Sequence, residues 1–185
     1  MAEADRLVPW ETVKTRLDLS DEQETEVTQL IDVASVRANQ YTGRKLAARD
    51  STIVLDGSGS SMLFLPDYPI NAITSVKIDS SRDWDNDAVT DYYADNDGIL
   101  IRNTVWPAGR RNVQVVGNFG YDEIPDDLAE SIIQLVGYWL NSPSISFMDA
   151  QAPAASGAYQ THYVGAMDLP FQVRNIWNAY REVRV

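Results

Sequence analysis

Residues 20–44 read SDEQETEVTQLIDVASVRANQYTGR, and they decide the first half of the fold. Ser20 followed three positions later by Gln23 is a capping box, and Asp21, Glu22 and Glu24 place negative charge where a helix N-terminus favours it. Val27, Leu30, Ile31, Ala34, Ala38 and Tyr41 then recur at spacings of three and four, one apolar stripe on a helix of about six turns. Gly43 supplies the cap that ends it, with Arg44 and Lys45 close behind. Upstream, Trp10, Val13 and Leu17 give residues 9–17 a shorter amphipathic helix or turn.

Downstream the period changes from helical to alternating. Thr52-Ile53-Val54-Leu55 and Met62 to Leu65 predict two short strands, joined as a hairpin by the turn cluster Asp56-Gly57-Ser58-Gly59-Ser60. Ile73, Val76 and Ile78 mark another strand over 70–78, and the polar, acidic stretch 79–91 predicts an exposed loop. Tyr92-Tyr93 and Ile99-Leu100-Ile101 predict a hairpin turned at Asp95-Asn96-Asp97-Gly98, and residues 112–116 a last strand. Pro125 opens a second strong helix whose stripe is Leu128, Ile132, Leu135, Val136 and Trp139, stopped at Asn141-Ser142-Pro143. Residues 144–166 turn rich in Ala, Ser, Gly and Gln, as a flexible loop does. A final helix starts near Leu169-Pro170, with Val173, Ile176, Trp177 and Tyr180 on one face.

The expected class is therefore α+β: a small α-helical bundle from both chain ends (8–45 and 124–182) carrying an inserted antiparallel strand-rich region at 51–122. The 185 residues are expected to form one cooperative domain. A net charge of -12 argues against a surface that grips nucleic acid, because phosphates are held by Lys and Arg. With no Cys, neither a disulfide framework nor a thiolate metal site is available. The start, MAEADRLVPWE, does not read as a signal peptide, and no apolar run nears the about 20 residues that span a bilayer. A soluble protein made in a bacterial cytoplasm is expected.

Chemistry is hard to find. His162 is the only histidine, and it falls in the loop-like stretch, so a Ser–His system has poor footing. Asp83, Asp85 and Asp87 resemble the start of a calcium loop, but Ala88 stands at the turn position that needs Gly and Ala94 at the closing position that needs Glu. Gly57-Ser58-Gly59-Ser60 lacks the Lys and the following helix of a phosphate cradle. No enzyme, cofactor or metal is expected. Five Trp and nine Tyr instead suit protein contacts, where aromatic residues and Arg are enriched. Trp177, Tyr180, Arg181, Arg184 and Val185 are the candidate contact residues, with Trp177 able to serve the core as well.

The order of these signals resembles a known family. Tyr41-Thr42-Gly43-Arg44, Leu65-Pro66 through Pro69-Ile70, Ile73-Thr74-Ser75-Val76, Gly120-Tyr121 and Ile124-Pro125-Asp126-Asp127-Leu128 resemble successive motifs of the tailed-phage head–tail connector, or head-completion adaptor, family. The resemblance implies a structural virion protein of phages, prophages or gene transfer agents, a twelve-fold ring beneath the portal that meets a tail-side neck protein. DNA would pass through it unbound, its place would be the neck of the particle, and its C-terminal segment would reach the portal. Removing everything after Asp168 is then expected to abolish portal assembly while the monomer stays folded. The alternatives are a carbohydrate- or receptor-binding module, suggested by Trp84 and Trp106 as exposed rings, and a hydrolase of unrecognised residues.

Overall fold

The computed structural model describes residues 6–141 and 169–181, and the loop expected at 144–166 lies outside them. The expected helices form. Helix α1 is Trp10–Leu17, and a 3-10 turn, Asp21–Gln23, leads into α2, Glu24–Thr42. The Ser20 N–H donates to Gln23 Oε1 at 3.1 Å, one arm of the capping box. Gly43 ends α2 at φ 79°, where its N–H reaches Asn39 O at 3.0 Å, a backbone state that any side chain would disfavour. Helix α3, Asp126–Asn141, follows Pro125, and α4, Phe171–Ala179, follows Pro170.

The four helices bury one apolar interior. Val13 of α1, Val27, Ile31, Ala34 and Ala38 of α2, Leu128, Ile132, Leu135 and Val136 of α3, and Val173 and Trp177 of α4 meet there. These are the residues that the helical stripes select. The chain entering α1 is tied down by polar contacts to α2. Ser35 Oγ accepts from the Leu7 N–H and donates to Ile31 O, while Arg6 pairs with Asp32 at 2.5 Å.

Between α2 and α3 lie six strands in two antiparallel sheets: β1 Arg49–Gly57, β2 Met62–Phe64, β3 Ile70–Ile78, β4 Tyr92–Asp95, β5 Ile99–Arg102 and β6 Gly109–Phe119. One sheet runs β1-β6-β3, the other β2-β5-β4. In the first, Val115 of the central strand faces Ile53 on one side and Val76 on the other. In the second, Leu100 lies between Leu63 and Ala94. A second interior, distinct from that of the helices, gathers Leu63, Val76, Leu100, Trp106, Val113, Val115 and Phe119. The β4–β5 hairpin forms as expected, with Gly98 at φ 86° in its turn.

Two expectations fail here. The first two strands do not form a hairpin: β1 pairs with β6 and β2 with β5. The Gly- and Ser-rich cluster instead carries the chain from one sheet to the other, bonded to β6 and to the segment before it. The Gly57 N–H donates to Asn112 Oδ1, the Gly59 N–H to Trp106 O, and the Trp106 N–H to Ser60 O. Turn residues mark where a strand ends, not which strand it will pair with. The second failure is Trp106, which is fully buried and donates its indole N–H to Leu100 O at 3.2 Å. An aromatic side chain this large fills the gap between two small sheets better than solvent does.

Candidate assembly interface

The helical and strand-rich parts meet around one buried side chain, with the Tyr68 hydroxyl donating to Arg181 O and the Lys45 N–H to Asp67 Oδ1 alongside it. Arg44, just past the cap of α2, is 4% exposed and has no carboxylate partner among the described residues. Its Nε donates to Tyr180 O at 2.9 Å, its Nη1 to Tyr68 O at 2.8 Å and its Nη2 to the Tyr121 hydroxyl at 3.3 Å. The guanidinium lies 3.6 Å from the centroid of the Tyr68 ring and 5.5 Å from that of Tyr121, so ring faces complete the solvation of its charge. Tyr68 precedes a cis proline, Pro69. The quoted motif segments therefore converge in space: Tyr41 and Arg44, Pro69 with its neighbour Tyr68, Gly120-Tyr121, and Asp127 surround one point. Nothing local in the sequence shows that these residues touch. Their wide separation along the chain hides the contact.

The end of α4 is fastened to this joint. Trp177 is fully buried and donates its indole N–H to Ser131 Oγ of α3 at 2.8 Å. Its ring lies 5.7 Å from that of Tyr41. The Tyr41 hydroxyl in turn donates to Asn178 Oδ1 at 2.8 Å. Tyr180 is half-buried, with its hydroxyl donating to Asp127 Oδ1 at 2.5 Å and its ring edge-on to Tyr121. Burial first, and the bond to Asp127 second, push its phenol well above the usual tyrosine range.

The expected contact residues thus divide. Trp177 belongs to the core and offers no surface, because Ser131 and the α2–α3 interior enclose it. Tyr180 shows one edge. Arg181 is exposed, its guanidinium 5.9 Å from the Tyr41 ring. Arg184 and Val185 lie outside the described residues, as does His162. The burial of Trp177 argues against the expected effect of removing the chain after Asp168: losing α4 would open the helical interior, and the monomer is then expected to lose stability.

The 79–91 loop is exposed as expected, but it is built around Asp79. That carboxylate accepts from the Ser81 hydroxyl and N–H and from the Asp83 and Trp84 N–H groups. The Ser81 hydroxyl first, then the Trp84 N–H, hold its pKa down to about 2. Asp83, Asp85 and Asp87 point to solvent, and no group of three or more metal-ligating side chains gathers among the described residues. Between α1 and α3 runs an open groove lined by Glu11, Thr12, Thr15, Arg16, Asp126 and Glu130, and Arg16 spans it to Glu130 at 3.2 Å. No described helix is long and apolar enough to cross a membrane.

Residues 7–183 match the family described as head completion protein. The chain belongs to that family. No curated protein matches it by sequence. Among solved structures, a chain from the neck of an empty gene transfer agent particle, computed with C6 symmetry, superposes with a TM-score of 0.61 at 18% identity, over 100% of this chain and 94% of that one. A chain from the virion of a native gene transfer agent particle gives 0.63 at 17% identity, over 100% and 94%. One from the neck of a native particle, computed with C12 symmetry, gives 0.60 at 17%, over 96% and 93%. At these identities the likeness is one of fold. The chain thus shares its sequence pattern with head completion proteins and its fold with those particle chains.

Proposed function

We propose that this protein is a structural part of a virion, a connector that completes the head and joins it to the tail. Copies assemble as a ring in the neck, beneath the portal on one side and against a tail-side protein on the other. The observation that carries this reading is the family match over residues 7–183. The whole-chain likeness to neck components of particles with sixfold and twelvefold symmetry supports a ring, with twelve copies in the assembled particle. The work of such a part is done by surface contacts; no bond needs to be made or broken. A net charge of -12, repeated around a ring, presents DNA with a wall that repels it, which suits a conduit.

The portal contact falls on the C-terminal end of α4 and the residues after it: the exposed edge of Tyr180, Arg181, Arg184 and Val185. Support comes from the fastening of Tyr180 to Asp127 and Arg44, which holds Arg181 at a fixed place on the surface. Mixing the protein with isolated portal rings and imaging them by electron microscopy tests the function: a collar of added density is expected, and bare portals would overturn it. For the contact residues, Arg181→Glu is expected to weaken portal binding with the melting temperature unchanged. Undiminished binding would remove Arg181 from the contact.

A further inference from the structure

The β2-β5-β4 sheet buries one face and leaves the other bare. Alternation puts Leu63 and Leu100 inward, while Met62, Phe64 and Tyr93 stand outward with Ile99 and Ile101 between them in register. Met62 is 45% exposed, Phe64 50%, Tyr93 67% and nearby Val105 57%, so most of the exposed large apolar side chains among the described residues lie in this one district. A contiguous apolar face of that kind on a folded chain marks a contact surface.

Charge indicates what covers it. Asp95 shares the outward face with Tyr93, and Asp97 follows in the turn; neither is in an ion pair among the described residues. Two such faces meeting each other would press like charges together, in a chain that already carries -12. The outward face of α4 has the opposite character. Phe171, 74% exposed, Arg174 and Asn175 lie on it, and Phe171–Ala179 contains no carboxylate. An apolar face with an acidic rim and an apolar patch with a basic neighbour are complementary surfaces on the same molecule.

We propose that the outer face of β2-β5-β4 docks on the outward face of α4 of the next copy, making the head-to-tail contact of the ring. The inference rests on the ring reading above, since a contact between two different patches closes into a ring by rotation, whereas a self-complementary patch stops at a dimer. It assigns the two ends of α4 to different partners: the Tyr180 end to the portal, the Phe171 end to a neighbouring copy.

Because the chain has no Cys, cross-linking can read this directly. Asp97→Cys and Asn175→Cys, both at exposed rim positions, would be placed together in the full chain. The variant would be assembled on portal rings and treated with a flexible bismaleimide. The expected result is a ladder of covalent multimers extending past the dimer, with each single variant remaining monomeric. Dimers from Asp97→Cys alone would show the sheet face pairing with itself and overturn the inference. So would rings of the double variant, visible by microscopy, that yield no ladder. A second arm uses Phe64→Ser with Tyr93→Ser, expected to lose the ring while isolated copies still occupy the portal and melting is unchanged; persisting rings would overturn the inference. Failure of the unaltered chain to form any ring overturns the proposed function itself, and the inference with it.

Discussion

The helical part and the strand-rich part close their interiors in opposite ways. In the first, four helices from both ends of the chain surround Ile31, Ala34, Leu135 and Trp177, and the polar groups caught inside are matched. Ser131 Oγ donates to Leu128 O and accepts from Trp177, while Ser35 and Thr42 bond to carbonyls of their own helix. In the second, two three-stranded sheets share an interior filled by Trp106 and Phe119, yet the outer face of one sheet stays apolar and bare. An interior whose polar groups are all matched serves as a scaffold; a sheet whose outer face stays apolar has the character of a contact surface. The difference separates the residues that hold the protein together from the exposed ones to which contacts with neighbours are assigned in the proposals above.

The strongest break of the scaffold is Trp177→Ala. Emptying a fully buried indole site and stranding Ser131 is expected to cost about 3–5 kcal/mol, read by denaturant unfolding. Next comes the joint. With Arg44 intact, a single unfolding transition is expected for both parts. Arg44→Met leaves Tyr68 O and Tyr180 O without their donor, should cost about 2–3 kcal/mol, and should let near-ultraviolet dichroism and calorimetry separate two transitions. Ser131→Ala is milder: it orphans only the Trp177 indole N–H, for about 1–2 kcal/mol.

On the strand-rich side the effects on folding shrink. Asp79 is depressed from 3.8 to about 2 in the folded chain, so the stability it lends is present above the ordinary carboxyl value and fades as pH falls from about 3.8 towards about 2. The 79–91 loop should loosen in that window, seen as a Trp84 fluorescence change that is lost in Trp84→Phe; in Asp79→Asn the loop should already be loose at neutral pH. Smallest of all is Phe64→Ser, expected to shift stability by no more than about 0.5 kcal/mol because the ring is already half in water. A large shift there would mean that the sheet face is part of the interior after all, and would erase the contrast drawn above.

The sequence made the helices legible because an apolar stripe is a local signal: each residue of the Val27 to Tyr41 series reports its own facing. Strand pairing is not local. The same five residues, Asp56 to Ser60, serve a hairpin or a crossing between sheets equally well, and the choice lies with β6, more than fifty residues away. Trp106 was misread for a related reason, since it sits in an irregular stretch with no period to show which way it points. The contact residues were half legible. Aromatic and basic types at the chain's end were recognised, but whether Trp177 faces in or out depends on Ser131, which nothing near it in sequence reveals. Arg44 was visible as a motif letter only, because burial of an arginine needs carbonyls and ring faces from three distant segments.

That arrangement around Arg44 fixes how a load would travel through the molecule. One planar guanidinium holds the carbonyls of Tyr68 and Tyr180 and the Tyr121 hydroxyl, which belong to three separate segments. A pull on the end of α4 is passed to the strand-rich part through that rigid group. The two halves would shift together there rather than hinge apart.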